Sequence, residues 1–203
     1  RLYQMEVKIP VKCGELLLAD IENTGVNVIF SCDCVKYRTV IMSVKLVAHR
    51  GESEAAPENT LEAFTLAWAR GARCIEGDFH LTRDGEVVCM HDDNAKRTCG
   101  VDRPLAELTL AEIRSFDAGK GRLEFTRVPT LGEVLRTMPE DGEIFIELKS
   151  VGPILDRLKA VFAAGPWRPE QLTFIAFDET TISSVKKLFP AHNAYWLLCN
   201  WIG

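Results

Sequence analysis

The sequence predicts an α/β protein whose main domain is a parallel β/α barrel, and two patterns support this prediction. From Leu46 onward, short apolar runs alternate with amphipathic segments of helical length. About six of the apolar runs have strand length, and their alternation with helices is the pattern of βαβ units in a parallel sheet. A closed eight-stranded barrel takes ~250 residues. Because the regular part of this sequence is shorter, we expect a TIM-type barrel that is incomplete at its C-terminus.

Local signals justify each element in turn. Leu46 opens a short buried strand, Asn59 or Thr60 can cap the helix that follows, and Gly71 is suited to end that helix. The pair Asp84-Gly85 is a tight-turn signal and predicts an antiparallel excursion, which a perfectly regular barrel would not contain. The predicted strands are 46–49, 74–82, 87–90, 144–149, 172–177 and 194–198. The predicted helices are 61–70, 109–116, 131–138, 154–163 and 181–189, with a loop through Pro104 before the second of them.

Residues 1–45 differ in character from the rest of the chain. They contain short apolar stretches but no pattern with recognisable chemistry. We therefore predict an N-terminal extension of unknown role over residues 1–45 and a main domain over residues 46–203. Met42 stands just before the first barrel strand and suggests a natural start there. On that hypothesis residues 1–41 are an added element or translated upstream sequence.

The composition is that of an ordinary globular protein, with 47% hydrophobic and 26% charged residues. A formal net charge of -5 gives no basic surface for nucleic acid, so an anionic substrate must be attracted by a metal ion or a few local cations. No apolar run approaches the ~20 residues of a membrane-spanning helix. The seven cysteines show no disulfide-framework spacing, and the N-terminal residues do not resemble a secretory signal. We therefore expect reduced thiols and a cytoplasmic location.

Polar residues of a particular kind follow the predicted strands. Strand residues two apart share a face, so Glu76 and Asp78 project together, as do Glu147 and Lys149. Parallel barrels place their sites at the carboxyl ends of the strands. We therefore expect one cluster at that rim, formed by His49, Arg50, Glu76, Asp78, His91, Glu147 and Lys149.

The residue types in this cluster indicate chemistry on a phosphate ester. Three carboxylates without a cysteine suit a hard divalent cation such as Mg²⁺ or Ca²⁺. Two histidines can act as base and acid near neutral pH, and Arg50 and Lys149 can bind a phosphate. Each signal alone has an ordinary explanation, such as a solvated strand edge, a structural histidine or a surface ion pair. Their concurrence at four strand ends favours a site.

Several motifs, in order and at matching distances, carry a resemblance to a known family. From Leu46 to Leu198 the sequence resembles the glycerophosphodiester phosphodiesterase family. The matching segments are Val47-Ala48-His49-Arg50-Gly51, Pro57-Glu58-Asn59-Thr60, Ile75-Glu76-Gly77-Asp78, Leu81-Thr82-Arg83-Asp84-Gly85, His91-Asp92, Arg97-Thr98, Val128-Pro129-Thr130-Leu131 and Glu147-Leu148-Lys149. One departure is Gly77, which stands where a larger apolar residue is common.

The resemblance implies a barrel of the phospholipase-C-like phosphodiesterase kind and hydrolysis of glycerophosphodiesters to glycerol 3-phosphate and an alcohol. It implies one divalent ion, Mg²⁺ or Ca²⁺. The implied roles are acid and base for His49 and His91, phosphate binding for Arg50 and Lys149, and metal ligation for Glu76, Asp78 and Glu147. Glu58 and Asn59 are interpreted as supporting residues, and His80 as a residue that fills the barrel mouth.

Two alternatives to this function stay open at the level of sequence. A related barrel phospholipase that acts on lipid head groups shares two histidines and acidic metal ligands, but the sequence has no long apolar loop near His91 to contact lipid. A truncated, non-catalytic remnant that binds phosphodiesters is favoured by the missing C-terminal strands. The open barrel edge would then allow self-association.

Overall fold

A computed structural model describes residues 2–4, 18–22, 25–29, 40–42, 45–122, 124–150 and 152–197 of the chain. Contacts divide the chain into two compact units, one over Gln4–Leu46 and the other formed by Arg1–Tyr3 with Val47–Gly203. The first unit contains a small antiparallel sheet of β2 (Leu18–Glu22), β3 (Gly25–Ile29) and β4 (Val40–Met42). The assignment of residues 1–45 as an extension of the main domain stays a prediction.

The second unit is a sheet of seven strands in the order β1-β5-β6-β8-β9-β10, with β7 paired to β6. From β5 to β10 the strands along this order are parallel neighbours, whereas β7 is antiparallel to β6. The strands are β1 (Leu2–Gln4), β5 (Leu46–His49), β6 (Cys74–Leu81), β7 (Val87–Cys89), β8 (Glu143–Leu148), β9 (Leu172–Ala176) and β10 (Asn193–Trp196).

Helices alternate with the parallel strands, which confirms the predicted partial β/α barrel. They are α1 (Leu61–Ala69), α2 (Lys96–Cys99), α3 (Leu110–Ile113), α4 (Leu131–Arg136), α5 (Pro153–Ala163) and α6 (Glu179–Leu188), with 3₁₀ turns at Leu105–Glu107 and Pro169–Gln171. Among the described residues, no helix combines the length and the apolar character needed to cross a membrane.

The main hydrophobic core lies on one face of the sheet, between the sheet and the helices. On β8, Ile144, Ile146 and Leu148 join the core with buried side chains of α4, α5 and α6. Because successive strand residues point to opposite faces, Phe145 and Glu147 lie on the other face. The same alternation on β6 sends Ile75 and Phe79 into the core and Glu76 and Asp78 away from the helices. The sequence alternation therefore directs the carboxylates to the face that a barrel encloses.

The antiparallel strand β7 follows from the predicted turn at Asp84-Gly85. Gly85 has a φ of +81°, and the turn is closed by bonds from Gly85 N to Thr82 O and from Thr82 N to Glu86 O. Strand β6 pairs with β8 as far as Phe79 and with β7 from Phe79 to Leu81. The chain thus runs past the rim of the sheet and returns to it, which brings His91 back to the level of Asp78.

Helix boundaries agree with the sequence signals at most N-termini and differ elsewhere. Thr60 caps α1, and Thr130 caps α4 in a capping box with Glu133. Helix α3 is shorter than predicted, because after Ile113 the bonds tighten to the i→i−3 pattern of a 3₁₀ turn. The prediction of a continuous loop before it was wrong, since this stretch contains helix α2.

Candidate active site

Three carboxylates converge at the carboxyl ends of β6 and β8. Asp78 and Glu147 are register partners on these neighbouring strands, and Glu76 precedes Asp78 by two residues on the same face. One carboxylate oxygen of each residue lies within 4.8 Å of the others, and all three side chains are buried. This acidic cluster is the arrangement that the strand-end pattern predicted.

The electrostatics of the acidic cluster show that three negative charges are crowded together. Burial raises the pKa of Glu76 well above its usual value, and the neighbouring Asp78 and Glu147 raise it further. Burial also raises the pKa of Glu147. Burial acts in the same direction on Asp78, but Lys149, Asn59 and Arg50 outweigh it and lower the pKa of Asp78. The cluster therefore favours additional positive charge.

Two cations reach into the cluster from the ends of β5 and β8. The Arg50 Nε lies 3.2 Å from Asp78 Oδ2, and its backbone N–H donates to Glu76 Oε2 at 3.0 Å. The Lys149 ammonium lies 3.0 Å from Asp78 Oδ1 and 2.5 Å from Glu147 Oε1. Both predicted phosphate-binding residues therefore lie beside the predicted metal ligands.

The two histidines approach the cluster from different strands. The Nε2 atom of His49, at the end of β5, lies 3.9 Å from Glu76 Oε2. Burial and the adjacent Arg50 lower the pKa of His49, so its neutral form is favoured near pH 7. His91 follows β7, and its Nδ1 is 2.7 Å from Asp92 Oδ1. The preceding backbone N–H of Met90 donates to the carbonyl of Asp78 at 2.9 Å, which fixes His91 next to the acidic strand.

The loop between β5 and α1 shapes the entrance of the cluster with unusual backbone conformations. Arg50 and Asn59 have φ angles of 57° and 59°, which are rare for residues with a side chain. The two are joined by a bond from Asn59 N to Arg50 O. Gly51, also left-handed, lets the loop touch α1, since a Cβ there would lie 2.6 Å from the Ala63 carbonyl carbon. Residues held in such conformations are common at functional sites.

Asn59 ties this loop to the acidic cluster. Its side-chain amide donates to Asp78 Oδ2 at 2.8 Å, and its side-chain oxygen accepts from the backbone N–H of Asp78 and from the Cys89 thiol. Asn59 therefore contacts the acidic cluster directly, and its supporting role stays a prediction. His80 is also buried, with its Nε2 3.2 Å from the His91 carbonyl oxygen.

Sequence reasoning assigned no role to Arg97 and Asp92, although both belong to matched motifs. In the structure Arg97 pairs with Glu58 and with Asp92, and Glu58 also pairs with Arg50. The signal that could have identified Asp92 is its position directly after His91, and for Arg97 it is the charged side chain within a matched motif. The pairing of Arg97 with Glu58 joins residues that are 39 positions apart, so it could not be seen without the fold.

The donor set of the acidic cluster fits a hard divalent cation. All three candidate ligands offer carboxylate oxygens, which Mg²⁺ and Ca²⁺ prefer. Glu76 Oε1 is buried and has no hydrogen-bond partner among the described residues. A buried acceptor in this state is costly unless a cation or a donor satisfies it. The residues present therefore fit a metal site.

Fold and cluster together define the class of protein: a β/α-barrel domain with an acidic, two-histidine site at the carboxyl ends of its strands. The model of the glycerophosphoryl diester phosphodiesterase family matches residues 49–188, which is more than half of the chain. The chain belongs to this family.

Curated relatives agree with this assignment. A glycerophosphodiester phosphodiesterase of Caldanaerobacter subterraneus is 36% identical over 157 residues, covering 73% of this chain and 64% of the relative. Glycerophosphodiester phosphodiesterase 1 of Mus musculus is 40% identical over 112 residues, covering 52% of this chain and 34% of the relative. The chain thus spans less than two thirds of the length of these relatives.

Solved structures show the same fold. A phosphodiesterase of Oleispira antarctica in complex with the product sn-glycerol-3-phosphate superposes with a TM-score of 0.68 at 30% identity, covering 73% of this chain and 63% of that one. The glycerophosphodiester phosphodiesterase of Thermotoga maritima gives a TM-score of 0.61 at 31% identity, covering 76% and 62%.

Proposed function

We propose that this chain hydrolyses glycerophosphodiesters to glycerol 3-phosphate and an alcohol, with the help of one divalent ion, Mg²⁺ or Ca²⁺. The observation that carries the proposal is the convergence of Glu76, Asp78 and Glu147 within 4.8 Å of one another, beside His49. A product-bound Oleispira relative with the same fold supports the substrate class.

In this proposal Arg50 and Lys149 bind the phosphodiester. Both are fixed by ion pairs with Asp78, so their orientation is set before a substrate arrives. An arginine has five N–H donors and a lysine three, which is more than these ion pairs use. Charge-assisted hydrogen bonds from both cations would hold the phosphate oxygens and reduce their repulsion from the carboxylates.

His49 and His91 transfer the protons. One removes a proton from the attacking hydroxyl, either the 2-hydroxyl of the glycerol moiety or a water molecule, and the other protonates the departing alcohol. Attack by water gives glycerol 3-phosphate directly, whereas attack by the 2-hydroxyl gives a cyclic phosphate that a water molecule then opens to glycerol 3-phosphate. His49 is half-buried with a lowered pKa, and the Asp92 carboxylate orients His91 through its Nδ1. Well-placed proton transfer contributes about 10²–10⁴-fold to a rate. The geometry is compatible with either assignment of base and acid.

Glu76, Asp78 and Glu147 would hold the divalent ion. When bound, such an ion supplies Lewis-acid stabilisation of the phosphoryl oxygens and a fixed place for the phosphate. It would also balance the negative charge of these buried carboxylates, since burial first and then the neighbouring carboxylates raise the pKa of Glu76 and Glu147.

The same proposal places the chain in glycerophospholipid metabolism, with a small glycerophosphodiester as its partner. The cytoplasmic location and the self-association through an open barrel edge also remain predictions. Sedimentation of the purified chain over a range of concentrations tests self-association, and a strictly monomeric result would exclude it.

The test of the proposed function is the release of glycerol 3-phosphate from glycerophosphocholine. Wild type should release it, and His49→Ala and His91→Ala should each lose about 10²-fold or more of the rate. His192→Gln is the matched control, because His192 packs on Phe162 and Phe189 away from the cluster. Equal rates in wild type and both site variants would refute the two-histidine mechanism, and no release by folded wild type would favour a binding remnant.

A further inference from the structure

We propose that Arg97 is a positioning residue that holds His91 and Arg50 in their working orientations at the same time. The proposal rests on the function proposed above. Arg97 lies on the short helix α2 and forms two bidentate ion pairs. Its Nη1 and Nη2 donate to the two Glu58 oxygens at 3.0 and 2.7 Å, and its Nε and Nη2 donate to the two Asp92 oxygens at 2.7 and 3.2 Å.

The first set of contacts, which we call the first arm, runs from Arg97 through Asp92 to His91, one of the two proposed proton-transfer residues. Asp92 Oδ1 is 2.7 Å from His91 Nδ1, so the carboxylate that Arg97 holds is the one that orients the imidazole. A carboxylate at Nδ1 fixes the tautomer and leaves Nε2 for proton transfer. With Arg97 in place, the Asp92 carboxylate is held by both the Arg97 guanidinium and the His91 imidazole, so it stays oriented toward His91.

The second set of contacts, the second arm, runs from Arg97 through Glu58 to Arg50, one of the two proposed phosphate-binding residues. Glu58 Oε1 accepts from Arg50 Nη1 at 3.1 Å as well as from Arg97 Nη2. Arg50 in turn lies 3.2 Å from Asp78 through its Nε. Because Arg97 shares the charge of Glu58, the Arg50 guanidinium is oriented by Glu58 without being fully neutralised by it. The two arms therefore join the loop that carries Arg50 to the loop that carries His91.

Arginine is the residue type that this geometry requires. Four hydrogen bonds leave one planar guanidinium toward two carboxylates, and a lysine ammonium cannot reproduce two bidentate pairs. The position of Arg97 is fixed by its own segment, since Ala95 is fully buried and donates its N–H to the Arg103 carbonyl, and Leu105 N bonds to Asp93 O. An exposed ion pair of ordinary geometry contributes little, but paired bidentate bonds are an exception to that rule.

The kinetic experiment separates the two arms. Asp92→Asn should lower kcat with little change in KM, whereas Glu58→Gln should mainly raise KM. Arg97→Gln should do both and lower kcat/KM by about 10- to 100-fold, the scale on which misplaced groups reduce rates. Arg97→Lys should recover only a small part. The matched control is Arg73→Gln, which removes an exposed ion pair with Asp141 outside the site.

A spectroscopic measurement tests the proposal without any catalysis. The ¹⁵N signals of the His91 ring, assigned with His91→Gln, should show the Nδ1–H tautomer in wild type and Arg73→Gln. In Arg97→Gln they should shift toward a mixture of tautomers. If Arg97→Gln keeps the wild-type tautomer, or its kcat and KM stay within about twofold of the control, the positioning role is refuted. If wild type itself releases no product, the proposed function fails and the tautomer alone decides the role of Arg97.

Discussion

Replacement of Asn59 by alanine should destabilise the chain far more than replacement of a typical surface asparagine. Asn59 is only 3% exposed, and its side chain makes three hydrogen bonds, of which two involve Asp78. The bond from Asn59 to the Asp78 carboxylate contributes about 1.5–3 kcal/mol. Without the Asn59 side chain, the backbone N–H of Asp78 also loses its partner, which costs about 1–3 kcal/mol. Alanine at a φ of 59° adds about 1–2 kcal/mol of backbone strain.

Because these contributions overlap, we expect Asn59→Ala to lower the free energy of unfolding by about 4 kcal/mol. Asn59→Gly loses the same hydrogen bonds but tolerates the left-handed backbone, so it should cost about 1 kcal/mol less than alanine. The assay is urea unfolding followed by tryptophan fluorescence, in the presence of a chelator so that metal binding does not contribute. Asn193→Ala, at an exposed strand position, is the control. A loss below about 1 kcal/mol for Asn59→Ala would refute the reasoning on hydrogen bonds, and equal losses for alanine and glycine would refute the reasoning on strain.

Two further predictions concern the same region. Gly51→Ala should destabilise the chain by about 3 kcal/mol or more, because both the φ of +79° and a 2.6 Å contact with Ala63 oppose a Cβ. Gly85→Ala, with a φ of +81° but no atom within 4 Å, should cost only about 1 kcal/mol in the same urea assay. Equal costs for the two glycine replacements would contradict the argument from close approach. The hydrogen bond from Arg97 lowers the pKa of Asp92 from 3.8 to about 2. Since the folded pKa is depressed, the stabilisation by the ionised Asp92 is present above about pH 4 and is lost as the pH falls through 2. Asp92→Asn should therefore cost about 1 kcal/mol at pH 6, after allowance for solvent screening, and only a small part of that at pH 2. A cost that does not change with pH would contradict this origin.

Much of the fold follows from short-range patterns that the sequence displays openly. Strand β6 was predicted at 74–82 and is found at Cys74–Leu81, because its apolar residues alternate with polar ones that face the other side. The Asp84-Gly85 turn requires a left-handed glycine, and Thr60 is a good helix cap, so both could be placed from local chemistry. The convergence of the carboxylates followed from the rule that parallel strands end at one rim.

Other features depend on contacts between distant parts of the chain. Helix α2 is only four residues long, contains no hydrophobic period and has no buried residue, so contacts with other parts of the fold, such as the Arg97–Glu58 ion pair, stabilise it. The left-handed conformation of Arg50 runs against the usual preference of arginine, whereas asparagine adopts it more readily. Bonds to β6 and a bond between the two residues stabilise the conformations of both Arg50 and Asn59. The space beside Gly77 is filled by Phe64 and Cys89, which explains how a glycine is accommodated where a larger residue is common. None of these could be inferred from neighbouring residues.

The most direct test of the account is the dependence of glycerol 3-phosphate release on a divalent ion and on Glu76. The rate of release from glycerophosphocholine should rise to saturation as Mg²⁺ or Ca²⁺ is added to chelator-treated wild type, and fall to background when the chelator is restored. Glu76→Gln keeps the shape of the side chain but removes the charge, so it should need a much higher metal concentration or show no release. Release that is indifferent to the chelator, or equal in wild type and Glu76→Gln at every metal concentration, would contradict the claim that the acidic cluster is a metal-dependent phosphodiesterase site.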